Sequence, residues 1–306
     1  MENVNFWKKG FTRILLVLCC CIVTAVSAQA AGKTVKLAYV EWSSEIASSN
    51  VVKAVLQEKM GMRCEIIAMK ADEMWEAVAE GEVDAMVAAW LPLTHKSYFE
   101  EHQDELIDLG PNLEGAKIGL VVPNVSLGRQ TAATGLRNTP YIKADSIPDL
   151  KKYGDKFHHR IVGIDPESGV MQKTREAIEA YGLDSYELIP GSEVSMTAEL
   201  AHAIQRQKWI VVTGWVPHWK FARWELKFLK DPKGIYGGEE RIHTMVREGL
   251  EEDMPEVYEF LDNFAWEPQD MGQLMIWIHD DDGLYPYDKA LRFLRGNSEL
   301  VNSWLP

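Results

Sequence analysis

Three tryptophans stand at the ends of short apolar runs: Trp42 in AYVEWSSEIASSN (38–50), Trp90 in MVAAWLPLTH (86–95) and Trp215 in IVVTGWVPHW (210–219). An indole face is electron-rich, so several around one space suit a cation with no N–H to donate, a quaternary ammonium. Each such contact contributes ~0.5–1 kcal/mol when exposed and ~2 kcal/mol or more when desolvated. Three faces together separate micromolar from millimolar binding. A ligand that also carries a carboxylate needs donors at its other end. The segment DPESGVMQKT (165–174) offers them, because Gly169 and Val170 open a predicted helix where backbone N–H groups are free and the dipole favours an anion. Gly169 permits close approach, and His95, shortly after Trp90, adds a side-chain donor.

Taken singly, a strand-end tryptophan reads as core or subunit contact, and a histidine after a strand as a local cap. The shared placement of three is what points to a common site. Trp75, Trp209, Trp219, Trp224, Trp266, Trp277 and Trp304 read as structural.

Apolar runs alternate with amphipathic ones along most of the chain. VKLAYV (35–40), CEIIAM (64–69) and DAMVAAW (84–90) read as strands, separated by the helical stretches SEIASSNVVKAVLQEKM and ADEMWEAVAEGE. This rhythm predicts a parallel sheet covered on both faces. A further strand, AKIGLVVP (116–123), precedes the polar connection PNVSLGRQTAATGLRNTPYIKADS. The pattern then restarts with a short helix, SIPDLKKYG, for which Ser146 is a candidate cap with Pro148 in the first turn. Next come HRIVGID (159–165), the helix GVMQKTREAIEAYGL, SYELIP, the helix EVSMTAELAHAIQRQK and WIVVTGW (209–215). One more extended piece and a run of helices complete the chain. Two α/β units in series predict two lobes around a cleft, one over 33–119 plus 222–306 and the other over 120–221. In such sheets ligands sit beyond the carboxyl ends of the strands, where all three tryptophans fall.

The first thirty residues have a different character. Lys8, Lys9 and Arg13 precede the uncharged run ILLVLCCCIVTAVSA, and AQA (28–30) closes it with small residues. That is the pattern of a secretory signal peptide with cleavage near Ala30, and it predicts export to a bacterial periplasm. Three of the four cysteines lie in this segment, so the mature chain keeps only Cys64, with no internal disulfide and no cysteine metal site. Formal net charge is −14 and becomes −16 once a segment with three basic residues and one acidic residue is removed. Such acidity argues against nucleic acid or an anionic membrane as partner.

The motifs of nucleophile elbows, phosphate loops, dinucleotide folds and zinc proteases are absent from the sequence. His158 and His159 are adjacent, so they point apart, and HDDDG (279–283) lacks the ligand spacing of a calcium loop. No metal and no cofactor is expected. An enzyme acting on a quaternary amine would have only His95 and Glu41 as acid–base candidates near the tryptophans.

Six segments carry a family resemblance: LAYVEWSSEIAS, DAMVAAWLPLTHKSY, DLGPNLEGAKIGLVVP, IVGIDPESGVM, VVTGWVPHWKFARWELKFLKDPKG and EEDMPEVYEFLDNFAW. In these the chain resembles the substrate-binding proteins of glycine betaine ABC transporters, the type related to the OpuA and ProX binding proteins. The resemblance spans about 33–306. It implies an α/β, two-lobed periplasmic binding fold of type II that closes on a compatible solute and delivers it, as a monomer, to a membrane permease and its ATPase. It also implies a tryptophan prism of Trp42, Trp90 and Trp215 for the trimethylammonium, and His95 with the Gly169 and Val170 amides for the carboxylate. Glycine betaine or proline betaine is the ligand expected, with choline or carnitine as the alternative. Two departures bear on that choice: Glu167 stands where relatives often carry glycine, and Leu93 where they often carry a polar residue.

Overall fold

The computed structural model describes residues 33–125 and 140–306. The expected signal segment, and residues 126–139 of the expected polar connection, lie outside the described residues.

The chain opens with β1 (Thr34–Tyr39), α1 (Ser43–Glu58), β2 (Arg63–Ala68), α2 (Ala71–Ala79) and β3 (Ala85–Leu91). β1 pairs in parallel with both β2 and β3. Every residue of β3 is buried, as an apolar strand covered on both faces must be. On α1, Ala47, Val51, Val52, Ala54 and Val55 are buried together with Ser44, Glu45, Ser48, Ser49 and Asn50. The helix is closed in by β2 on one side and by two C-terminal helices, α10 (Pro268–His279) and α11 (Pro286–Gly296), on the other. Cys64 is a buried free thiol, and burial pushes it up to about 12, so it is inert packing.

After α3 (Lys96–His102) comes β4 (Leu106–Pro123), which ties the molecule together. Over Leu106–Ala116 it pairs antiparallel with β9 (Glu240–Arg247), and over Lys117–Pro123 with β7 (Val212–Val216) and β8 (Leu226–Phe228). Its register against β9 shifts three times between Asp108 and Ala116, and Gly110 and Gly115 take φ of +95° and +80° within those shifts. Only glycine adopts such angles cheaply, so the bends are written into the sequence.

The second α/β unit has α4 (Asp149–Lys152), β5 (Arg160–Val162), α5 (Gly169–Ala180), β6 (Glu187–Ile189), α6 (Glu193–Gln205), β7 and α7 (Lys220–Arg223). β5 is parallel to β6 and to β7. The strand order is β2-β1-β3-β9-β4-β7-β5-β6, with β8 on β4. The C-terminal helices α8 (Leu250–Asp253), α9 (Pro255–Asn263), α10, α11 and α12 (Ser298–Ser303) follow β9.

Several expectations need correction. The sheet is mixed rather than parallel, because β9 returns antiparallel between β3 and β4. The strand expected at 116–123 is the second half of an 18-residue strand. Ser146 caps nothing: its hydroxyl donates to Asp149 Oδ2 at 2.9 Å, and Pro148 is the residue at the helix start. Two extended segments, β8 and β9, also occupy the stretch where one was expected. β8 pairs into the second sheet although it lies beyond residue 221.

Candidate functional site

Trp90 is the penultimate residue of β3 and Trp215 of β7, while Trp42 follows β1 and serves as the N-cap residue of α1. Each is almost fully buried, with 6% of Trp42, 3% of Trp90 and 4% of Trp215 exposed. They converge on one cavity, lined also by Thr94, His95, Ile118, Ile164, Ser168, Gly169 and Val170. All six residues singled out in the sequence therefore meet in one place. The first-sheet strands β1 and β3 bring two tryptophans to it, and the second-sheet strand β7 brings the third.

Two of the indoles direct their N–H groups to carboxylates. Trp42 Nε1 donates to Asp165 Oδ2 at 2.9 Å, and Trp90 Nε1 donates to Glu45 Oε1 at 2.8 Å. These bonds fix the ring planes and set a carboxyl group at the N–H edge of two aromatic walls. Burial pushes the Glu45 carboxyl up to about 7, against hydrogen bonds from Ser44 and Trp90 that favour the ionised form. Sequence reasoning missed both acceptors, since nothing local marks them.

The same cavity also holds a cluster of donors. His95 is fully buried and its Nδ1 accepts the Trp90 backbone N–H at 3.2 Å, so its proton sits on Nε2. Among the described residues that Nε2, like the buried Thr94 hydroxyl, has no hydrogen-bond partner. Burial holds the His95 imidazole down at about 3, so it is a neutral donor at physiological pH. α5 begins at Gly169 without a side-chain cap: the Ser168 hydroxyl donates to the Asp165 carbonyl at 2.8 Å instead. The first N–H groups of α5 thus stay open at a helix N-terminus. Glu240 clamps the turn that carries Thr94, accepting the backbone N–H groups of Leu93 at 3.0 Å and Thr94 at 3.1 Å. Unpaired buried donors cost free energy until an acceptor arrives. The donor set suits a carboxylate.

Glu167 and Leu93 do not line this cavity. Glu167 belongs to a neighbouring, larger cavity with Glu41, Glu73 and Lys70. Its backbone carbonyl accepts the Tyr98 hydroxyl at 2.7 Å.

A second network crosses between the units beside the cavity. Glu193, at the start of α6, accepts the Ser43 backbone N–H at 2.9 Å and the Ser43 hydroxyl. The Trp219 indole donates to Ser43 Oγ at 3.0 Å and stacks on His279 at 3.6 Å. His218 Nε2 lies 3.0 Å from Glu193 Oε1, a close contact rather than a well-aligned hydrogen bond. Burial pushes Glu193 up, but His218 and the two Ser43 donors outweigh it and hold the carboxyl down at about 2. Trp219 is thus a structural residue of the junction.

The fold is shared with known proteins. The crystal structure of ProX, a glycine betaine and L-proline ABC transporter binding protein from Borrelia burgdorferi, matches with 39% identity and a TM-score of 0.81. That match covers 90% of this chain and 97% of that one. Lactococcal OpuAC, solved closed and complexed with glycine betaine, matches with 37% identity and a TM-score of 0.80, covering 90% of this chain and all of that one. The glycine betaine/carnitine transport binding protein GbuC of Listeria monocytogenes is 42% identical over 175 residues. That stretch is 56% of each protein, so the chain spans little more than half the length of this curated relative. The α/β fold is that of the type II periplasmic binding proteins. Residues 33–296 match the family model described as the substrate-binding domain of the ABC-type glycine betaine transport system, and the chain belongs to that family.

Proposed function

We propose that this protein is the exported solute receptor of an osmoprotectant transporter, binding glycine betaine or proline betaine and handing it to the permease. The observation that carries the reading is the make-up of the cavity, which combines three tryptophans with the unpartnered His95 Nε2 and Thr94 hydroxyl. A trimethylammonium fits the first and a carboxylate the second. Choline has no carboxylate and would leave the donors unpaired, at ~1–3 kcal/mol for each buried group. The same argument separates a receptor from an enzyme. Among the ten lining residues only His95 is titratable, and it is held neutral with Nδ1 already occupied.

The receptor works as a monomer in the periplasm, with 33–119 plus 222–306 and 120–221 as lobes closing on the ligand. The pairing of β1 with β2 and β3, and of β5 with β6 and β7, supports this division, as does a cavity lined from both units, while β8 joins the second unit. No helix of the described residues is long and apolar enough to cross a membrane. Closing contacts made by both lobes let the ligand select the closed form, which the permease then distinguishes from the empty one.

The test is a titration of the mature protein, followed by tryptophan fluorescence, with glycine betaine, proline betaine, choline and carnitine. The betaines should saturate the signal, with choline about tenfold or more weaker. A folded protein that answers to none of the four refutes the reading, and a preference for choline transfers it to the rival ligand. A related expectation concerns the junction: Glu193→Gln, although Glu193 is outside the cavity, should weaken glycine betaine about tenfold by loosening the closed form. Unchanged affinity in that variant would show that the Ser43–Glu193 contact does not hold the lobes together.

A further inference from the structure

Lys220 is fully buried, and among the described residues its Nζ has no hydrogen-bond partner. The side chain leaves the start of α7 and runs beside Gly214, where an added Cβ would stand 3.6 Å from Lys220 Cε. Its amine ends 4.0 Å from the centroid of the Trp215 ring and 5.6 Å from that of Phe221. Lys220 is not among the cavity-lining residues, whereas Trp215 is. The ring is therefore a partition, with the cavity on one side and an amine behind it. Glu193 from α6 and His218 from the preceding turn are the charged and titratable groups around that amine, and they are engaged with each other and with Ser43.

We propose that Lys220 is a specificity-determining residue of the cage: a protonated amine behind Trp215 and a cation in front of it compete for the same ring, so the cage fills while Lys220 is neutral. This rests on reading the cavity as a cation cage. A cation on one face draws the π density that the opposite face needs, and two like charges across a buried indole repel through a poorly screened medium. Burial favours the neutral form, pushing Lys220 down to about 7 against the attraction of Glu193. By linkage, ligand binding and Lys220 protonation oppose each other equally in both directions. Wherever the free protein carries part of that proton, loading releases it, and affinity falls as pH drops below about 7.

Glu45 acts in the same direction, since protonating the carboxylate at the N–H edge of Trp90 also removes support for a cation. His218, at about 4, and His95, at about 3, titrate below this range. His279 stacks on Trp219, and burial lowers its imidazole. Lys220 and Glu45 are thus the pair to separate.

The experiment measures glycine betaine affinity between about pH 5.5 and pH 8.5, together with protons released on binding, by calorimetry in buffers of different ionisation enthalpy. Wild type should bind about tenfold more weakly at the acid end and release protons near neutrality. Lys220→Met keeps an apolar stem of similar length, and should reduce both the affinity ratio and the proton count. The double variant with Glu45→Gln should abolish the remainder. Lys220→Arg, charged throughout, should bind about tenfold more weakly even at pH 8.5. A Lys220→Met profile that superimposes on wild type, or a Lys220→Arg protein of wild-type affinity, overturns the role of Lys220 and leaves the cage intact. Wild type that binds no betaine at pH 8.5 overturns the cage itself.

Discussion

Gly169→Ala should cost the protein about a hundredfold or more in glycine betaine affinity while leaving its unliganded stability nearly unchanged. The reason is a contact that exists only when the two units meet. A methyl group at Gly169 would come within 2.0 Å of the Thr94 carbonyl oxygen and 2.6 Å of its Cγ2. No atom pair tolerates that distance, and the obstacle on the Thr94 side is backbone, which cannot rotate away. Gly169 has no positive φ, so alanine suits the local helix start as well as glycine does. The penalty therefore falls on the closed arrangement alone. On the proposed reading, opening by the distance needed removes the first N–H groups of α5 from a carboxylate that His95 also holds. Each hydrogen bond to a carboxylate lost this way is worth ~1.5–3 kcal/mol. Fluorescence titration gives the affinity, and thermal unfolding with and without ligand gives the second reading: the unliganded midpoint stays, and the ligand-induced shift disappears. An alanine variant within about threefold of wild-type affinity would mean that the Thr94–Gly169 approach is not part of the bound state.

That contact illustrates what the sequence could reveal and what it could not. Gly169 was legible as a place of close approach, because a glycine at a helix start after a strand has few other uses. The three tryptophans were legible for a similar reason: each ends an apolar run, and the order of runs places those ends together. Their partners were not. Trp42 and Asp165 are 123 positions apart, and Trp90 and Glu45 are 45 apart. No periodicity or spacing records such a pairing, and Glu45 and Asp165 look like ordinary first-turn and loop acids. Lys220 was hidden in the same way, since a basic residue after a tryptophan-rich turn reads as solvated until the fold buries it. β9 escaped for a topological reason. An apolar run shows that a strand exists, but its direction follows from where the chain returns, here between β3 and β4 after the whole second unit.

These hidden groups give the aromatic walls different electrostatic backing. Asp165 and Glu45 accept from the N–H groups of Trp42 and Trp90, which adds negative potential to the rings that face the cavity. Trp215 has an amine behind it instead. A cation held among the three is thus supported by two walls and, whenever Lys220 is protonated, opposed through the third. The donors lining the cavity are all neutral, with His95 kept so by burial, and they bring no net charge to cancel the carboxylate of a zwitterionic ligand. A zwitterion suits such a site better than either a bare cation or a bare anion. Each of its charges then meets its complement without leaving an excess buried charge.

The walls themselves can be tested for what they contribute beyond bulk. Trp90→Leu and Trp215→Leu should each weaken glycine betaine by about thirtyfold or more, because a buried cation–π contact is worth ~2 kcal/mol and leucine restores only apolar cover. Phenylalanine keeps a π face, so Trp90→Phe and Trp215→Phe should lose only severalfold. The stability costs should follow a different order. Either change at Trp90 removes the indole N–H from buried Glu45, which leaves that carboxyl short of a donor at ~1–3 kcal/mol. Trp215→Phe strips no such bond from Glu45, so its unfolding midpoint should lie above that of Trp90→Phe. Titration and unfolding of the four variants check both orders. If leucine and phenylalanine at the same position gave equal affinity, the tryptophans would be holding the ligand by shape and burial rather than by charge.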